Sequence, residues 1–247
     1  MRIACIHAHP DDAEILAGGT LALLSQLGHE ISIVTMSPGD CGSAVHDAEQ
    51  IAGIRRSEAT AAAKFIGAEY RCAEFRDLAI FSDNASRRKV TGLLRDLRSD
   101  VILTASPRDY LSDHEATSEL VRDACFAASV PNYVTPGHGP LQGIPWLYFV
   151  DPIEGTDRDG NVVVPDFTVN VASTIDRKRV MLAKHESQRS WLRQQHGVDD
   201  YLDQMERWTR ACGNRSGVTF GEGFRHYTGH PYPREPVLQR ILAEFIV

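Results

Sequence analysis

Short apolar runs alternate with stretches of helical spacing through the first half of the sequence, and that order leaves few folds open. Residues 2–8 (RIACIHA), 30–36 (EISIVTM), 70–75 and 101–105 (VILTA) have the length and side chains of strands. Between them, residues 15–27, about 47–66, and 86–97 carry helical spacing, and 112–128 follow the last run in the same way. Gly28 and Gly67 stand where the first two helices should stop. Strand, helix, strand, helix in this order implies an α/β fold, a Rossmann-like three-layer sandwich around a mostly parallel sheet. The runs lack strict alternation, as expected of strands covered by helices on both faces. In such sheets ligands bind beyond the carboxyl ends of the strands, so the segments after Ala8, Met36 and Ala105 are the places to look for chemistry.

The second half is less regular. Residues 130–145 read as a Pro- and Gly-rich loop and 146–150 (WLYFV) as a strand. The Asp159-Gly160 pair predicts a turn within 157–165 and a small hairpin with 167–171. Residues 175–210 read as mostly helical, with Trp191 and Trp208 expected to pack in the core. No repeat or linker divides the chain, so residues 1–247 are expected to form one domain.

Composition excludes several classes. With 43% apolar and 24% charged residues the chain is neither disordered nor fibrous. A formal charge of −7 argues against nucleic acid as a partner. No apolar run approaches the roughly 18 residues of a membrane span, and residues 1–8 lack the layout of a signal peptide. The five cysteines are odd in number, widely spaced and without a C-x-x-C pair, which fits a reducing, cytoplasmic setting.

Two strand ends carry the chemistry. His9-Pro10-Asp11-Asp12 follows the first strand, and a proline-stiffened turn can aim His9 and Asp12 at one point while Asp11 stays free. After the fourth strand comes Asp109-Tyr110-Leu111-Ser112-Asp113-His114-Glu115. Ser112 and Glu115 have capping-box spacing, which makes Ser112 the expected N-cap and places His114 in the first helical turn. His9, Asp12 and His114 together would form a two-histidine, one-carboxylate site with open coordination positions, a pattern of catalytic zinc. Singly, each residue has a blander use as a helix cap or a hydrogen-bonded strand-end group; together they form a specific combination.

These residues resemble the LmbE-like/PIG-L family of zinc-dependent N-deacetylases. Ala8-His9-Pro10-Asp11-Asp12-Ala13-Glu14 matches the family's opening signature, and Asp113-His114 the second half of its H-x-D-H motif. Residues 35–39, Arg55-Arg56-Ser57-Glu58-Ala59 and His185-Glu186-Ser187-Gln188 match weaker motifs in the family's order. The resemblance implies removal of an acetyl group from an N-acetylglucosamine-type sugar or glycoside. His9, Asp12 and His114 would be ligands to Zn2+, with Fe2+ or another divalent ion open. Asp11 would be the general base acting on the metal-activated water, and Arg55 would reach the sugar. His185 is expected to be structural. One departure stands out: the family's oxyanion-stabilising histidine is replaced by Leu111, which cannot donate a hydrogen bond. Tyr110, His226 and His230 are the candidate replacements, His226 because its polar stretch could fold over the site. Rival readings are a nucleotide-binding module, a metal hydrolase of another bond, and a degenerate family member that binds sugar without turning it over. No G-x-G-x-x-G follows the first strand and no Walker A motif occurs, which weighs against the first. A homo-oligomer is left open.

Overall fold

A computed structural model describes residues 1–196 and 200–247. Seven strands form one sheet in the order β3-β2-β1-β4-β5-β7-β6. The strands are β1 (Arg2–His7), β2 (Glu30–Thr35), β3 (Glu69–Cys72), β4 (Val101–Thr104), β5 (Trp146–Val150), β6 (Phe167–Asn170) and β7 (Gly221–His226). The first five run parallel, and β7 pairs antiparallel with both β5 and β6.

Alternating side chains along each strand feed two apolar layers, and both are continuous because helices cover both faces. On one face Ile3, Cys5, Ile31 and Leu103 pack with α1 (Asp12–Gln26), α2 (Ala48–Phe65) and α5 (Ile175–Leu182). On the other, Ala4, Ile6, Val34 and Ile102 pack with α3 (Asn84–Leu97) and α4 (Ser112–Ala128). This is the expected three-layer α/β architecture. Two further helices, α6 (Glu186–His196) and α7 (Tyr201–Arg215), follow α5, and α8 (Val237–Ile241) lies near the carboxyl end. Residues 197–199 of the helical stretch expected at 175–210 lie outside the described residues. All five cysteines are free, and no helix among the described residues is long and apolar enough to cross a membrane.

Three local expectations are corrected. The turn at Asp159-Gly160 exists, closed by bonds from Gly160 N to Asp157 O and from Asp157 N to Asn161 O and by a bridge between Thr156 and Val162. Residues 167–170, however, join the main sheet beside β7 rather than that turn. The polar stretch around Glu222 is itself a sheet strand, because its alternate side chains Glu222 and Phe224 are buried. Ser112 is not the N-cap of α4: the cap position is Leu111, with no side-chain bond. The Glu115 carboxylate accepts from Asp109 N at 3.0 Å and pairs with Arg158, so it is not available to close a capping box.

The strand order 3-2-1-4-5 reverses direction between β1 and β4, which opens a crevice at their carboxyl ends. The loops after β1 and β4 both descend into it.

Candidate metal centre and substrate cavity

His9 to Asp12 form the tight connection from β1 into α1. Asp11 takes a left-handed backbone conformation (φ 98°), uncommon for a residue with a side chain, and makes no capping bond. Asp12 Oδ2 instead accepts from His9 N at 2.9 Å, tying the turn to itself. The same oxygen lies 3.6 Å from His9 Nδ1 and 3.4 Å from His114 Nε2. Two ligands each about 2.1 Å from one tetrahedral ion sit roughly 3.4 Å apart, so these separations fit a shared divalent ion. The three ligand atoms lie within 4.8 Å of one another, all on buried residues. Among the described residues His114 Nε2 has no hydrogen-bond partner, although the residue is buried. A buried nitrogen that lies 3.4 Å from a carboxylate oxygen without a hydrogen bond to it suits a cation shared between the two.

The outer nitrogens of both rings face acids, the arrangement that fixes tautomer and orientation in metal sites. His9 Nε2 lies 2.9 Å from Asp77 Oδ1 and 3.2 Å from Asp113 Oδ2. His114 Nδ1 lies 3.1 Å from Asp109 Oδ1. Burial by itself would lower the His9 pKa, but Asp113, Asp12 and Asp77 outweigh it and hold it well above the ordinary value. His114 is likewise pulled down by burial and raised by Asp12 and Asp109. Burial acts to raise Asp12, yet His114 and His9 hold it far below the usual carboxylate range. The excess of carboxylates over fixed cations makes the cluster a sink for positive charge.

Asp11 stands beside this triangle and outside it. Its Oδ2 accepts from the Tyr201 hydroxyl at 2.5 Å, and its Oδ1 is 3.7 Å from Arg55 Nη2. Burial raises its pKa, and Arg55 opposes that rise. Arg55, on α2, is buried; Nη2 donates to Pro10 O at 2.7 Å and Nη1 to Gly39 O at 3.3 Å. The guanidinium therefore ties the loop after β2 to the β1–α1 turn. Gly39 is required there: its φ is +71°, and a Cβ would lie 2.2 Å from Arg55 Nη1. The late motif also finds its place, since Ser187 N and Oγ donate to the two oxygens of Glu58, which joins α6 to α2. His185 is buried with Nε2 3.5 Å from Glu14 Oε1.

The site opens into a cavity of about 380 Å³. Its floor is His9, Asp11, Asp12 and Arg55, and its walls include Tyr110, Leu111, Gln188, Gln204, Trp191 and Trp208. The two tryptophans thus line the cavity instead of the core. Of the replacements for the histidine missing at Leu111, only Tyr110 lines this cavity, with its ring edge-on to His114 at 5.4 Å. His226 is corrected: it lies in β7 opposite Tyr148, stacked on that ring at 4.5 Å, and β7 carries it away from the carboxyl-end crevice. His230 borders a separate cavity with Tyr227 and Tyr232. Sequence reasoning missed Tyr201 and Asp77, whose partners are distant in the chain, and Asp109, which faces His114 five residues on.

Known proteins resemble this chain in sequence and in fold. Residues 4–125 match the sequence profile of the PIG-L family, described as GlcNAc-PI de-N-acetylase. A 1D-myo-inositol 2-acetamido-2-deoxy-alpha-D-glucopyranoside deacetylase of Rhodococcus opacus is 27% identical over 175 residues, spanning 59% of this chain and 58% of that relative. A 4-oxalmesaconate hydratase of Pseudomonas putida is 25% identical over 181 residues, spanning 70% of this chain and 68% of the relative. The structure of N,N'-diacetylchitobiose deacetylase from Pyrococcus horikoshii superposes with a TM-score of 0.77 at 24% identity, over 95% of this chain and 86% of that one.

Proposed function

We propose that this chain, a member of the PIG-L family through residues 4–125, is a metal-dependent hydrolase that removes the acetyl group from an N-acetylglucosamine-type sugar. The observation that carries the reading is the His9–Asp12–His114 triangle with the Asp11 carboxylate held just outside it. A bound divalent ion, zinc or ferrous iron, would supply Lewis-acid polarisation of the amide carbonyl and a lowered pKa for water. His9, Asp12 and His114 would hold it. Asp77, Asp113 and Asp109 orient the two imidazoles.

Asp11 accepts a proton from the attacking water and returns it to the departing nitrogen as the C–N bond breaks. Acetate and a free amine are the products. Tyr201 and Arg55 keep the Asp11 oxygens aimed into the cavity, and Arg55 is the cation in its wall that faces the sugar. Tyr110 is the group we assign to the developing oxyanion, in the role that Leu111 leaves open. Trp191 and Trp208 give flat apolar surfaces for a sugar ring, and Gln188 and Gln204 give amide partners for its hydroxyls.

The hydratase relative brings a second reading, addition of water to an unsaturated acid. Among the described residues of the cavity lining, Asp11, Asp12 and Asp77 stand against one arginine, which disfavours a polyanionic substrate. One preparation tests both. Metal-loaded protein is assayed for free amine over a panel of N-acetylated sugars, and for loss of conjugated-acid absorbance. Amine release that depends on metal supports the deacetylase; absorbance loss without amine overturns it.

A further inference from the structure

Residues 156–162 fold into a turn that no step of the chemistry uses. It is wound around Asp157, whose Oδ1 accepts from Asp159 N at 3.0 Å and from Asn161 N at 2.8 Å, and whose Oδ2 accepts from Asn161 Nδ2 at 3.1 Å. Gly160, at φ +79°, lets the chain reverse. Val162 and Val164 are 60% and 75% exposed, so this segment adds little to the apolar layers. It is tied to the rest of the molecule at its tip instead.

Arg158 Nε donates to Glu115 Oε1 at 3.0 Å and Nη2 pairs with Oε2, the two-pronged contact that makes an arginine–carboxylate pair directional. Asp159 Oδ2 faces Arg108 Nη1 at 3.5 Å. Both contacts land on the segment after β4, on either side of Asp109. Glu115 Oε1 also accepts from Asp109 N at 3.0 Å. Asp109 is buried, and its Oδ1 lies 3.1 Å from His114 Nδ1. Among the described residues no hydrogen bond holds either of its carboxylate oxygens. The carboxylate is therefore aimed by its own backbone, and that backbone N–H is held by Glu115. One path runs from Arg158 to Glu115, to Asp109, to the imidazole of a candidate metal ligand.

We propose that the 156–162 turn is a clamp on the metal centre, with Arg158 as a positioning residue. Arg158 fixes the Glu115 carboxylate, Glu115 holds Asp109 N, and Asp109 keeps the His114 ring turned for coordination. The proposal rests on His114 as a ligand to a divalent ion and is independent of the substrate. Its sign is opposite to that of simple electrostatics. The positive charge of Arg158 by itself opposes a bound cation, so deleting it would tighten metal binding through space. Deleting a clamp loosens it.

Affinity for Zn2+ is measured by competition with a chromophoric chelator, and the ligand field by the visible absorption of the Co2+ form. Arg158→Ala should bind Zn2+ about three- to thirtyfold more weakly than wild type, a part of the roughly 10–100-fold that loss of an outer partner costs, and its Co2+ spectrum should change. Arg158→Lys keeps the charge, loses the fork and should fall between the two. Asp157→Ala unwinds the turn, leaves every residue of the path in place and should weaken Zn2+ binding in the same direction. Arg158→Ala should cost nothing further in a Glu115→Ala background. Unchanged or tighter Zn2+ binding, or a wild-type Co2+ spectrum, in Arg158→Ala overturns the clamp, as do losses that add in the double variant. His114→Ala separates the clamp from the ligand assignment beneath it. If that variant keeps full affinity, the assignment fails; if it loses the metal while Arg158→Ala keeps it, the clamp alone fails.

Discussion

Arg55→Ala removes a guanidinium that braces the turn between β1 and α1. Lost are the bonds to Pro10 O at 2.7 Å and Gly39 O at 3.3 Å, and the ion pair with Asp11 Oδ1 at 3.7 Å. Hydrogen bonds made by a charged group contribute about 1.5–3 kcal/mol each, and stranding the remaining partner of a buried pair costs about 3–5 kcal/mol. The terms overlap, because Asp11 keeps its bond from Tyr201, so the expected loss of stability is about 3–5 kcal/mol. For a chain of this length that corresponds to a fall in Tm of roughly 6–20 °C. Arg55→Lys restores the charge without the planar fork and should fall between the two, about 1–2 kcal/mol below wild type. Urea unfolding followed by circular dichroism at equal metal loading measures the loss, and kcat/KM is recorded on the same samples. If Arg55→Ala unfolds within about 1 kcal/mol of wild type while kcat/KM collapses, the side chain serves the substrate alone and the bracing argument is refuted.

Tyr201→Phe deletes only the hydroxyl on Asp11 Oδ2; kcat should drop about tenfold or more with KM little changed, and an unaltered kcat would show that Asp11 needs no such support. Gly39→Ala puts a Cβ against the Arg55 guanidinium in a left-handed conformation and should cost about 1–3 kcal/mol in urea unfolding; a neutral effect contradicts the close approach. Burial pushes the Asp151 carboxyl up to about 6, with Arg225 and Arg215 opposing. A carboxyl harder to ionise in the folded chain than in the unfolded one withdraws stability as pH climbs from about 4 through 6. Asp151→Asn should therefore gain about 1–3 kcal/mol on wild type between pH 4.5 and 7.5, and urea midpoints that move in parallel for both proteins would contradict this.

Strands β1, β2 and β4 were legible because each is a short apolar run followed by a patterned helix. The meeting of His9, Asp12 and His114 was legible for the same reason: all three sit at strand ends where an open α/β sheet exposes its loops. Strand β7 was not, since Gly221 to His226 contains one large apolar residue and its buried Glu222 survives by accepting from Gly19 N, Thr20 N and Lys178. Tyr201 was invisible because its partner lies 190 residues away and no local pattern encodes that pairing. Trp191 and Trp208 have the spacing of core residues, and only the fold turns them toward the cavity. The spacing of Ser112 and Glu115 suggested a cap that Glu115 cannot serve while it holds Asp109 N and Arg158.

Metal content by elemental analysis of the wild type, Asp11→Asn and His114→Ala, purified identically, bears most directly on the arrangement at the β1 and β4 ends. The account predicts about one divalent ion per chain in the first two and a large loss in the third. Equal metal in all three proteins, or loss in Asp11→Asn with retention in His114→Ala, would contradict it.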